Sequence, residues 1–156
     1  MKKTAVVGIG NILLKDDGVG IHILKHIEEA AWSNEVLLVD GGTCIFDLLD
    51  VFLKHEKVVI VDSVKGGHAP GTIYRLTPEE LGNFVKATTS LHDVQVLDLL
   101  QNVNHMGYFP KVMIIGIEPE EICFDLNLSK TIKRQLPRMI EILRTEILEE
   151  KSEKSA

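Results

Sequence analysis

Residues 4–20 read TAVVGIGNILLKDDGVG, and the order of parts within this stretch decides the architecture. Residues 4–9 are short, rich in β-branched side chains and apolar at successive positions, which suits a strand covered on both faces in a parallel sheet. A loop of glycines and acids follows. From Gly18 onward, Val19, Ile23, Ile27 and Ala30 recur at helical spacing, predicting an amphipathic helix over 18–32.

The same sequence of parts repeats along the chain. Apolar runs at 36–39 (VLLV), 58–61 (VVIV) and 112–117 (VMIIGI) read as further central strands. Residues 72–76 (TIYRL) follow Pro70-Gly71 and alternate in polarity, which marks an edge strand and a candidate for antiparallel pairing. Helices are expected over 45–53, 78–84, 91–103 and 128–149. The fourth of these five is capped by Ser90 with Asp93 completing a capping box, and Pro137 starts or kinks a segment of the last. Strand–helix alternation implies an α/β protein: a three-layer α/β/α sandwich around a mostly parallel sheet of about five strands, joined by right-handed crossovers. A length of 156 residues fits one domain, 1–148, with a polar tail at 149–156 (EEKSEKSA) expected to fray.

Composition narrows the function. Hydrophobic residues make up 45% and charged residues 26%, which excludes a disordered chain. A net charge of −6 argues against a nucleic-acid partner, which needs a basic face. Cys44 and Cys123 form no C-x-x-C, so neither a disulfide framework nor a thiolate zinc site is indicated, and a reducing compartment suits the chain. No apolar run approaches a membrane span, and residues 5–9 are too short for a signal-peptide core. The expectation is a cytoplasmic protein with no membrane partner.

Ligands of open parallel sheets bind outside the carboxyl ends of the strands. There the first strand leads to Asp16-Asp17, the second to Asp40-Gly41-Gly42-Thr43 and the third to Asp62-Ser63. A dinucleotide fingerprint fails because its third glycine position holds Leu13, so no nucleotide cofactor is expected. A Walker lysine, a G-x-S-x-G elbow and an H-E-x-x-H helix are absent. Of six histidines, His92 stands out: the first turn of a helix disfavours the imidazolium and keeps the ring a neutral ligand or base. Either Asp16 or Asp17 can serve merely to open a helix. Asp62, directly after VVIV, would be poorly solvated and needs a partner. Two carboxylates and an imidazole form a charge-balanced set for zinc, nickel, manganese or iron. A covalent route through Cys44 or Ser63 lacks a paired general base.

GIGNILLKDDGVG (8–20), DGGT (40–43), VIVDSV (59–64), APGTIY (69–74), SLHDVQVLDLL (90–100) and IIGIEPE (114–120) together resemble the hydrogenase maturation proteases, in the family's order and over nearly the whole chain. These are endopeptidases that trim the C-terminal extension from the large subunit of nickel–iron hydrogenases. The resemblance implies that Asp17, Asp62 and His92 are the catalytic and metal-engaging residues. Where the family often has Glu, Asp17 is one methylene shorter. It further implies that Asp40, Gly41, Gly42 and Thr43 contact substrate, and that the partner is a nickel-loaded precursor whose own nickel is the recognition feature. A monomer or weak oligomer is expected. Two other readings stay open at this level: a metal-dependent hydrolase of another substrate class on the same fold, and a non-catalytic docking protein for the precursor.

Overall fold

The computed structural model describes residues 3–29, 36–87 and 91–153. Five strands, β1 (Thr4–Ile9), β2 (Val36–Gly42), β3 (Lys57–Ser63), β4 (Ile73–Leu76) and β5 (Lys111–Ile117), form one sheet in the order β2-β1-β3-β5-β4. All pairings are parallel except that of β4, which runs antiparallel on β5 with Ile73 opposite Ile117. Five helices cover the faces: α1 (Val19–Glu29), α2 (Leu49–Lys54), α3 (Pro78–Ala87), α4 (Leu91–His105) and α5 (Lys130–Glu153). The mostly parallel sandwich with an antiparallel edge strand is therefore as the sequence implied.

Period-two alternation in the strands divides the core between the two faces. Val6, Val59, Val61, Met113 and Ile115 pack with Ile23 and Ile27 of α1 and with Ile132, Met139 and Leu143 of α5. Val7, Val58, Ile60 and Ile114 pack on the other face with Phe52 of α2, Leu81 of α3, and Val96, Leu100 and Val103 of α4. Apolarity on both faces is why these strands read as unbroken runs.

Element boundaries depart from expectation in informative places. The helix placed at 18–32 begins with a 3-10 turn at Lys15–Gly18, and that at 45–53 with a 3-10 turn at Ile45–Leu48. Strand β2 continues through Asp40 to Gly42, because β1 still offers it partners at Gly8 and Ile9. Helix α5 runs unbroken past Pro137, which sits exposed within it, and is helical to Glu153, beyond the expected end at 149. Glu and Lys are good helix formers, so the polar end propagates the helix. The Ser90 cap and residues 30–32 lie outside the described residues.

Two features position the loop after β1. Gly8 and Gly20 let α1 lie directly on the sheet: a Cβ on Gly8 would sit 2.6 Å from the Gly20 carbonyl oxygen, and one on Gly20 would strike the Val61 carbonyl oxygen of β3. The second feature is Asp16, which is fully buried. Its carboxylate accepts hydrogen bonds from the Ser129 N–H and hydroxyl, each at 2.8 Å, and from the N–H groups of Glu120 and Glu121 at 3.0 Å. Ser129 in turn accepts the Ile132 N–H in the first turn of α5. One side chain thus ties the β1 loop to the β5–α5 connection.

Away from the crevice, buried Lys57 at the start of β3 and buried Glu146 of α5 form an ion cluster with exposed Arg75. Lys57 Nζ lies 3.2 Å from one Glu146 carboxylate oxygen, and Arg75 Nε lies 2.7 Å from the other. Burial pushes the Glu146 pKa up, but these two cations outweigh it and hold the carboxyl below its ordinary range.

Asp16→Ala would strand four buried or half-buried donors, a loss of roughly 3–5 kcal/mol. Circular dichroism melts are expected to show a midpoint lower by roughly 10 °C. A fall of under about 2 °C would contradict the pinning role.

Candidate active site

The strand order reverses direction between β1 and β3, since the chain passes from β1 outward to β2 and then returns to β3 on the other side. A crevice opens at such a switch point, outside the carboxyl ends of the two strands. Asp17 enters from the β1 side and Asp62 from the end of β3.

Asp17 is held in its 3-10 turn by the Asn11 N–H, 2.9 Å from Oδ2. The turn closes against Gly10, whose φ of 133° and proximity to the Asp17 carbonyl oxygen exclude any side chain. Oδ1 of Asp17 accepts the Ser63 hydroxyl at 3.3 Å, while the Ser63 N–H donates to Asp62 Oδ1 at 2.7 Å. Ser63 therefore links the two acids.

Asp62 is 3% exposed. Burial pushes its pKa well above the ordinary carboxylate value, and the negative charges of Asp93 and then Asp17 add to the shift; the Ser63 N–H opposes it without cancelling it. His92 lies half-buried in the first turn of α4, immediately before Asp93. Among the described residues, no three His, Cys, Asp or Glu side chains are gathered closely enough to hold a metal ion by themselves. The structure brings the carboxyls of Asp17, Asp62 and Asp93 into electrostatic contact, and it does not gather His92 with Asp17 and Asp62 into a metal-holding cluster.

The DGGT segment borders the same rim. Asp40 is exposed and its Oδ1 accepts the Gly42 N–H at 2.9 Å, forming a tight turn. The Gly42 carbonyl accepts the Gly10 N–H at 2.9 Å, joining DGGT to the loop that holds Asp17. The bare Cα of Gly41 serves packing within the fold, since a Cβ there would crowd the Gly8 oxygen at 3.1 Å and Leu48. Gly42, with φ of 49° and only Asp40 Oδ1 at 3.8 Å, faces open space, and Thr43 is exposed.

Asp93 was legible only as a helix cap, yet it is buried and faces Asp62. Its signal was available in the sequence. Positions 93, 96, 100 and 103 make one helical stripe, and the other three are core residues, so an acid at the head of that stripe points at the sheet. Glu118, in the IIGIEPE block, is also buried. It accepts N–H groups of His68 at 2.8 Å and Gly66 at 3.2 Å and so shapes the β3–β4 connection.

The family model for hydrogenase maturation proteases matches residues 21–146. The chain belongs to the hydrogenase maturation protease family. It is 30% identical to the hydrogenase 2 maturation protease of Escherichia coli over 139 residues, spanning 87% of this chain and 85% of that one. A putative hydrogenase maturation protease of Methanocaldococcus jannaschii is 29% identical over 153 residues, covering 94% and 97% of the two chains. The solved structure of the hydrogenase-maturating endopeptidase HybD from E. coli superposes with a TM-score of 0.85 at 28% identity, over 96% of this chain and 93% of that chain. This hydrogenase maturation protease is thus an endopeptidase by family, on the fold of its solved relatives.

The raised Asp62 pKa has a defined consequence for stability. Between the ordinary aspartate value and the raised folded one, the native state keeps a proton that the unfolded chain has released, so stability falls as pH rises through that window. Asp62→Asn removes this dependence. Its melting midpoint is expected to match the parent near pH ~4 and to exceed it increasingly as pH rises. A difference independent of pH would contradict the burial of an uncompensated acid.

Proposed function

We propose that this chain removes the C-terminal extension of a nickel–iron hydrogenase large-subunit precursor after nickel insertion, and that the nickel carried by the precursor is what it recognises. The observation that carries the reading is the buried carboxyl of Asp62, set between Asp17 and Asp93 at the switch point of the sheet. A crevice so lined with acids disfavours an anionic ligand and favours a cation. A metal presented by the substrate would meet Asp17, Asp62 and His92 as enzyme-side ligands, with the scissile peptide lying along the DGGT rim at Asp40, Gly41, Gly42 and Thr43.

A divalent ion in that position supplies Lewis-acid polarisation of a carbonyl. The chain's own contribution is placement. Ser63 links the two acids, Asn11 orients Asp17, and α4 carries His92 in its first turn. Placing substrate and ligating groups in one geometry removes the entropy of bringing them together, which is a large part of what an enzyme can supply to hydrolysis. Specificity then comes from requiring two things at once, the metal and the peptide beside it. Among the described residues no helix is long and apolar enough to cross a membrane, and Cys44 and Cys123 are free thiols, which suits a protease working beside its precursor in the cytoplasm as a monomer or weak oligomer.

Precursor prepared with and without nickel, incubated with the protease and weighed by mass spectrometry, tests the reading. Shortening of the nickel-loaded form alone is expected, and equal cleavage of both forms would overturn nickel recognition. In the same assay His92→Ala should lower processing by at least about a hundredfold while the melting temperature stays within a few degrees. A collapsed melting temperature with activity per folded molecule retained would make His92 a structural residue.

A further inference from the structure

The segment after β5 is tied by backbone hydrogen bonds to the loop that carries Asp17. Asp125 bridges in parallel to Leu14: its N–H donates to the Leu13 carbonyl at 3.0 Å, and its own carbonyl accepts the Lys15 N–H at 2.8 Å. Lys15 Nζ pairs with Glu121 at 3.0 Å, and the Asp16 carboxylate holds the N–H groups of Glu120 and Glu121. The bridge is a single residue pair, with bends on either side of Asp125. Cys123 and Asp125 are half-buried, while Ile122, Phe124 and Leu126 are exposed, Phe124 by 86% and Leu126 by 61%. Leu13, across the bridge, is exposed as well.

Single exposed apolar side chains are ordinary on protein surfaces. Four on two segments locked together by backbone bonds and a buried carboxylate form a patch, and such patches mark interaction sites. The ordering cost of docking onto them is small because the backbone is already fixed. We propose that Leu13, Ile122, Phe124 and Leu126 are a docking surface for the folded body of the hydrogenase large-subunit precursor, distinct from the crevice that takes its metal and its scissile peptide. The proposal rests on the function proposed above. The choice of occupant follows from continuity with the site: the Leu13 N–H donates to Asn11 Oδ1 and the Asn11 N–H holds Asp17, so a precursor engaged at Asp17 has this surface as its near neighbour. An apolar contact supplies affinity that the acid-rich crevice cannot supply to a protein surface.

The test is steady-state processing of nickel-loaded precursor by the full chain and by the double variant Phe124→Ser/Leu126→Ser. Phe109→Ser serves as control: Phe109 is 78% exposed but precedes β5, at the opposite rim of the sheet. The double variant is expected to raise KM at least about tenfold with kcat retained, the pattern of lost uniform binding, and Phe124→Leu should restore most of it. Phe109→Ser should leave KM unchanged. An unchanged KM in the double variant, beside an active parent, overturns the docking surface and leaves the proposed function standing. A parent that fails to cut the precursor overturns that function and the docking surface with it. Sedimentation that shows a dimer of the protease abolished by the double variant would assign the patch to a second copy of the chain and overturn the proposal.

Discussion

A single buried carboxylate, that of Asp16, organises the functional end of this molecule. A charge in the interior must be compensated by hydrogen bonds, and Asp16 recruits four donors from residues more than a hundred positions away. In doing so it fixes the end of the β5–α5 connection against the loop that leaves β1. The next residue, Asp17, can then face the crevice because Asp16 has already anchored the turn. The close crossing of Gly8 and Gly20 sets the other boundary, holding α1 against β3 so that Asp17 reaches Ser63.

The contrast between the acids separates structure from chemistry. Asp16 and Glu118 are buried and surrounded by donors that satisfy them; Glu146 is buried and matched by Lys57 and Arg75. Asp62 is buried among other acids, and its proton affinity rises accordingly. Folding alone would favour replacing such a group, because an uncompensated buried charge costs stability. The proposed function gives it a use, as binding capacity held ready for a cation. That is the physical basis for reading this member of the hydrogenase maturation proteases as one that engages metal through its substrate.

Much of this was legible in the sequence because it rests on periodicity. Unbroken apolar runs gave the strands of a sheet covered on both faces, and the polarity alternation at 72–76 marked the antiparallel edge. Asp62 stood out by its place after a strand, and so did the Asp16-Asp17 pair, within which only the family resemblance pointed to Asp17. Asp16 was treated as interchangeable with Asp17, since nothing local distinguishes a carboxylate whose partners lie at 120–129. Asp93 was hidden behind a capping pattern that accounted for it too easily. The passage of α5 through Pro137 shows tertiary packing of Met139, Leu143 and Ile147 prevailing over a local helix breaker.

The central claim is that the crevice is a cation-engaging site built from Asp17, Asp62 and His92. Calorimetric titration of the purified protein with nickel measures it directly. One weak site is expected, since the resting crevice supplies too few gathered ligands to fill a cation's coordination without a substrate. That site should be lost in Asp62→Asn while the variant remains folded. Unchanged nickel binding by Asp62→Asn would place the ligands elsewhere and contradict the account.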